Sequence, residues 1–232
     1  MKEIHDQSQL HDFLHAHRIE DVFHEPLRPY LSLYSFEPGE PICAQGEPAQ
    51  FLYVLVKGKI KIYNTTPEGK TLVISFKTPL EVIGDIEYIQ EIDTINTVVA
   101  VSPVYMIGIH QRWLRKFGSD YSPLLQFLLK IITQKFFIKS NFMSFNLMYP
   151  VEVRLASYLL SVSFDETDAL FRGQISTSHL TDAANLIGTS YRHLNRVIRK
   201  FCAEGLIERN KTFILVKDKE GLSAMANQPI GK

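Results

Sequence analysis

Tyr191, Arg192, His193, Asn195, Arg196 and Arg199 crowd into one short stretch that begins at Gly188-Thr189-Ser190. Arg192 and Arg196 are four apart, so they are neighbours on one helix face. Either guanidinium can grip the O6 and N7 edge of a guanine, or hold a phosphate. Tyr191, His193 and Thr189 suit phosphate or thymine-methyl contacts, and Asn195 and Arg199 extend the same face. Between them Leu194, Val197, Ile198 and Phe201 recur at helical spacing and form an apolar stripe on the other side. The chemistry implied is recognition of duplex DNA. The alternative is an ordinary solvated amphipathic helix.

Such a helix must be held outward by a second one crossing it closely. That crossing needs a small residue on the first helix and a glycine in the turn. Ala184 and Gly188 fill those roles, Ser190 is a suitable N-cap, and Leu180, Ile187, Leu194 and Val197 can close a small core. The capped N-terminus also directs backbone amides at a phosphate. Downstream, Ile207–Arg209 and Thr212–Val216 flank Asn210-Lys211 as a hairpin. Helix pair plus hairpin predicts a winged helix-turn-helix.

Upstream, Leu31–Phe36, Phe51–Val56, Lys59–Tyr63, Thr71–Phe76, Asn96–Val101 and Val104–Ile109 are short runs rich in β-branched and aromatic residues. Pro38-Gly39, Gly46, Gly58, Pro67-Glu68-Gly69 and Lys77-Thr78-Pro79 punctuate them. Many short strands at this spacing predict a compact β-sandwich or roll. Residues 1 to about 30 read as helical and acidic.

A long helix is predicted from Ser122-Pro123 to about Asn146, roughly 36 Å at ~1.5 Å per residue. Leu124, Leu128, Ile131, Lys135, Ile138, Phe142 and Phe145 follow a 4-3 spacing, a heptad seam with Lys135 as its polar member. Leu125, Leu129, Ile132 and Phe136 form a second stripe beside it. One stripe can pack on the β domain while the other pairs with a second subunit, and the first is assigned to the dimer. The alternative is one broad face buried within a single domain. Tyr149-Pro150 reads as a hinge, Val151–Ser161 as another helix, and 164–174 as a polar connection. The expected fold is α+β: a β-roll sensor domain over 1–121, a dimerisation helix and hinge over 122–149, and a winged helix-turn-helix over 150–232.

The 232 residues carry 25 basic and 25 acidic side chains, yet the distribution is uneven. Residues 1–110 hold 8 Lys and Arg against 15 Asp and Glu, whereas 171–217 hold 8 against 3. Positive charge gathers where the reading helix lies, as a DNA footprint requires. Hydrophobic residues make up 45%, enough for a real core and too many for a disordered chain. No apolar run approaches a membrane span, and Met1–Gln9 is polar, unlike a signal peptide. A cytoplasmic protein is expected.

Gly39-Glu40-Pro41-Ile42, Gly46, Leu52-Tyr53-Val54-Leu55, Gly58, Gly69 and Ile83-Gly84-Asp85 resemble the β-roll of the CRP/FNR superfamily of bacterial transcription regulators. Arg154-Leu155-Ala156 and Leu159-Leu160 resemble the start of its DNA-binding domain. Thr189-Ser190-Tyr191-Arg192-His193-Leu194 and Phe201-Cys202-Ala203-Glu204-Gly205-Leu206-Ile207 look closest to the YeiL-like branch. The resemblance covers nearly the whole chain. It implies a homodimer on a near-palindromic operator, with RNA polymerase as a further partner if the protein is an activator. It places the main base contacts at Tyr191, Arg192 and Arg196. The cyclic-AMP-type members carry Arg and Glu at the first two positions, so their operator is not to be carried over whole.

The same resemblance implies an arginine beside a serine or threonine for cyclic-nucleotide phosphate. Residues 84–96 contain no arginine, nor does any position from 31 to 110. Instead Asp85, Glu87, Glu91 and Asp93 crowd the region and oppose an anion. They form either a solvated face or the counterpart of a cationic partner. A cyclic nucleotide is therefore not the expected ligand. Two cysteines, Cys43 and Cys202, cannot supply the ~4 thiolates of an iron–sulfur cluster; they read as core residues or, alternatively, redox switches. Haem needs fewer ligands and stays open. His11 and His15, one helical turn apart, could share a metal or simply face solvent. No histidine falls between 25 and 109, which leaves a cupin-type metalloenzyme without ligands, and no nucleophile–base pair stands out. The remaining rival is a DNA-binding regulator without an effector, and activator versus repressor is open.

Overall fold

The computed structural model describes residues 1–69, 71–163, 174–177 and 180–226, with backbone alone for 162, 163 and 174–176. The chain divides into two compact units, 1–137 and 138–232. The polar connection expected over 164–174 lies outside the described residues except for Gln174.

In the first unit the chain runs β1 (Lys2–Ile4), α1 (Gln7–Ala16), β2 (Leu31–Phe36), β3 (Pro41–Cys43), β4 (Phe51–Lys57), β5 (Ile60–Thr65), β6 (Thr71–Lys77), β7 (Glu81–Ile83), α2 (Asp85–Gln90), β8 (Thr97–Ala100), β9 (Val104–His110) and α3 (Gln111–Phe117). Two antiparallel sheets result, ordered β1-β2-β9-β4-β7 and β3-β8-β5-β6. The six strands read from sequence are all present. The acidic N-terminal helix is corrected: it is preceded by β1, which covers the edge of β2 with Ile4 opposite Leu33. Asp6 then caps α1 by accepting the Gln9 N–H at 2.9 Å.

Alternation along β4 explains why its apolar run is continuous. Successive side chains point to opposite faces, and both faces are covered. Tyr53 and Leu55 join Phe36, Ile60, Val98 and Met106 in the core between the sheets. Leu52, Val54 and Val56 face the other way, into a second core with Leu10, Leu14, Phe23, Leu27, Leu114 and Ile107. Gly84 sits at the end of β7 with φ +89°, and a Cβ there would meet the Phe51 carbonyl at 2.5 Å, so only glycine lets β4 and β7 approach.

The long helix α4 spans Ser122–Met148. Leu124, Leu128 and Ile131 are buried in the second core of the β domain. Lys135 reaches the same domain, its Nζ donating to the Val82 carbonyl at 2.6 Å and pairing with Asp85 and Glu81 at 2.8 and 3.0 Å. The assignment of these four to a dimer seam is corrected, because packing within the chain already consumes that face. Ile138 and Phe142 are exposed and Phe145 is half-buried. The other stripe is uncovered: Leu125, Leu129 and Phe136 are 37%, 63% and 72% exposed.

The second unit continues with α5 (Val151–Ser163), β10 (Gln174–Ser176), α6 (Leu180–Leu186), α7 (Tyr191–Ala203), β11 (Ile207–Arg209), β12 (Phe213–Val216) and α8 (Lys219–Ala226). The expected hairpin is β11–β12, extended by β10 into a sheet ordered β10-β12-β11. Its core joins Leu155, Leu159, Leu180, Ala184, Ile187, Leu194, Val197, Ile198, Phe201, Ile214 and Leu222. Residue 222 belongs to α8, which local sequence did not announce.

Candidate nucleic-acid interface

Helix α7 is built for one buried and one offered face. Leu194, Val197, Ile198 and Phe201 are at most 2% exposed. Ser190 caps the helix, its Oγ accepting the His193 N–H at 3.1 Å. The turn before it closes through Thr189 N–H to the Ala184 carbonyl at 2.9 Å. Gly188 adopts φ +66°, a left-handed conformation that favours glycine, and a Cβ there would crowd Arg154 Nη1 at 3.2 Å. That guanidinium donates to the Ile187 and Gly188 carbonyls, bracing the turn from α5. Arg154 was legible only through a family resemblance; its bracing role has no local sequence signal.

On the other face Tyr191, Arg192, Arg196 and Arg199 are exposed. Among the described residues, none of these three arginines has a hydrogen bond or ion pair within the chain. They are cations without an internal counter-charge on a helix whose N-terminus is presented outward. Thr189 and His193 are half-buried beside them. Asn195 departs from expectation. Its Nδ2 donates to the Tyr191 carbonyl at 2.9 Å and its Oδ1 accepts from Arg209 of β11 at 2.5 Å. Within the chain, then, the side chain fastens the wing to α7.

The carboxylate group also separates. Asp85 is 2% exposed and Glu87 8%, so the solvated-face reading is corrected for both, while Glu91 and Asp93 are exposed. Asp85 meets a cationic partner, Lys135, and Glu91 pairs with Arg115. Glu87 Oε1 accepts the Ile95 N–H at 3.0 Å. Burial first, and then the charges of Glu87 and Glu47, push the Cys43 thiol up to about 12, so at neutral pH it is a thiol and a weak nucleophile. His15 is exposed and bonded to Glu20 at 2.5 Å. No group of three or more His, Cys, Asp or Glu among the described residues is placed to hold a metal.

Two family models match this chain: a cyclic nucleotide-binding domain over residues 33–121 and a Crp-like helix-turn-helix domain over 153–225. The chain belongs to the CRP/FNR superfamily of transcription regulators. This CRP/FNR chain is 25% identical to the regulatory protein YeiL of Escherichia coli O157:H7, over 89% of this chain and 90% of that one. It is 23% identical to a CRP-like cAMP-activated global transcriptional regulator of Mycobacterium tuberculosis, over 86% and 90%. Among solved structures, a putative CRP/FNR-family regulator of Eubacterium rectale superposes with a TM-score of 0.77 at 17% identity, over 88% and 93%. The helix-turn-helix match spans α6 and α7, and the chain is a DNA-binding transcription regulator of CRP/FNR type. No helix among the described residues is long and apolar enough to cross a membrane.

Proposed function

We propose that this CRP/FNR regulator works as a homodimer that sets two α7 helices into successive major grooves of a near-palindromic operator, half-sites about one helical turn apart. One observation carries the reading: Arg192, Arg196 and Arg199 stand exposed and unpaired on α7, while every buried position of that helix serves the core. Arg192 and Arg196 read base edges, Tyr191 assists them, and Thr189, Ser190, His193 and Arg199 meet phosphates. The second subunit covers Leu125, Leu129, Ile132 and Phe136, continued at the same heptad spacing by Met143, which is 62% exposed. Cyclic AMP is not its signal, because residues 31–110 hold no arginine to take a cyclic phosphate. The protein acts in the cytoplasm, without catalysis of its own, and as an activator it would add RNA polymerase to its partners.

Selection of bound sequences from a random DNA pool with the purified protein should return a two-fold symmetric motif. On that motif Arg196→Ala should cost roughly 1–3 kcal/mol and relax the preference at one base pair. An equal loss on random DNA would remove Arg196 from base reading and leave it a phosphate contact.

A further inference from the structure

The β domain holds a pocket of about 100 Å³ whose polar lining is Cys43, Glu47, Gln50, Tyr53, Glu87 and Thr94. Among the described residues, no lysine, arginine or histidine lines it. Glu87 and Thr94 are each 8% exposed, more than nine-tenths buried. Glu87 uses Oε1 on the Ile95 amide at 3.0 Å; among the described residues its Oε2 and the Thr94 hydroxyl have no partner. Neither oxygen is sealed off from solvent, so both line the pocket open to a donor that enters it. The nearby cations are already engaged, Lys135 with Asp85 and Glu81, Arg115 with Glu91. The thiol of Cys43, held protonated in part by Glu87 and Glu47, reports the same negative potential.

The remaining walls narrow the ligand. Ile42, Ala49 and Ile83 are apolar, and Phe51 and Tyr53 stack at 5.5 Å between ring centres. Such walls suit an alkyl stem and the face of an organic cation better than a hydrated metal ion. The position has a consequence too. Ile83, Gly84 and Glu87 line the pocket, while Glu81, Val82 and Asp85 of the same short segment hold Lys135 of α4.

We propose that this pocket binds a small organic cation carrying N–H donors, an alkylammonium or guanidinium group, with Glu87 as its counter-ion, and that the segment 81–87 relays occupancy to α4 through Lys135. This rests on the reading of the chain as a regulator whose β domain is its sensor, and inverts the charge preference of a phosphate-binding pocket.

The test uses the full-length protein in thermal-shift titrations with methylguanidinium and ethylammonium chlorides, at constant total salt. Methylurea serves as the neutral shape match, tetramethylammonium as the cation without donors, and cyclic AMP as the anion. A saturable rise in Tm is expected with methylguanidinium or ethylammonium alone. Glu87→Gln should weaken it roughly tenfold or more, since a charge-assisted bond is replaced by a neutral one. Glu47→Gln, an exposed rim substitution that leaves the buried core intact, should weaken it less, which keeps the test valid if Glu87→Gln folds poorly. No response to either cation, an equal response to methylurea, unchanged binding by both variants, or a saturable rise with cyclic AMP would overturn the proposal. Operator binding is measured on the same samples. If it persists without a cation response, the pocket inference alone fails; if it is missing in the unsubstituted protein, the DNA-binding reading fails.

Discussion

Lys135→Leu should destabilise the β domain by about 3–5 kcal/mol at neutral pH, because removing one member of a buried ion network strands the others. The lysine side chain is 17% exposed and its partners Glu81 and Asp85 only 7% and 3%. Burial pushes the Glu81 carboxyl up, but Lys135 and Lys77 outweigh it and leave it below the usual carboxylate range. A carboxylate lowered on folding contributes stability above its unfolded pKa, and that contribution disappears as pH falls through the folded value. In the leucine variant Glu81 loses Lys135, so acid, which neutralises its carboxylate, relieves part of the penalty. The gap between wild type and variant is therefore widest near neutrality and narrows on acidification. Urea unfolding followed at neutral and mildly acidic pH measures it. A cost below about 1 kcal/mol, the range of exposed pairs, or one independent of pH would show that the network is not what holds α4 to the sheet.

The double substitution Leu129→Glu with Phe136→Glu should convert the protein to a monomer and weaken operator binding by about 10²–10⁴, the range that linking two binding modules supplies. Both residues are largely exposed in the single chain, at 63% and 72%, so the fold of one subunit gains little from them. Seven residues apart, they stand on one line of the helix, where a parallel partner would present the same two positions. Glutamates there would face their own copies across the seam. Sedimentation velocity and operator titration measure the two effects. A variant that still sediments as a dimer would refute this seam.

The β strands and the reading helix were legible because their signals are local. Gly58, Gly69 and the proline turns mark strand ends within a few residues, and Gly188, Ser190 and the Leu194–Phe201 stripe define the turn and helix without reference to anything distant. β1 and β10 escaped because three residues carry no measurable period; they exist through pairing with β2 and β12. α4 shows a different limit. Its two stripes have the same heptad spacing, so periodicity could not say which meets the sheet. Lys135 read as a flaw in a seam, and its partners Asp85 and Glu81 lie about fifty positions earlier in the chain. Asn195 and Glu87 mislead for the same reason: polar residues look solvated until the fold brings Arg209 or a buried wall beside them.

The bracing of the α6–α7 turn has an evolutionary side. Arg154, Gly188 and Ser190 hold α7 in place, and none of them is among the side chains proposed to read bases. Tyr191, Arg192 and Arg196 add little to the core, so substitutions there should mostly stay within ~0.5 kcal/mol of neutral for folding. Exposed positions of α7 can thus be exchanged one at a time without loosening the scaffold that presents them.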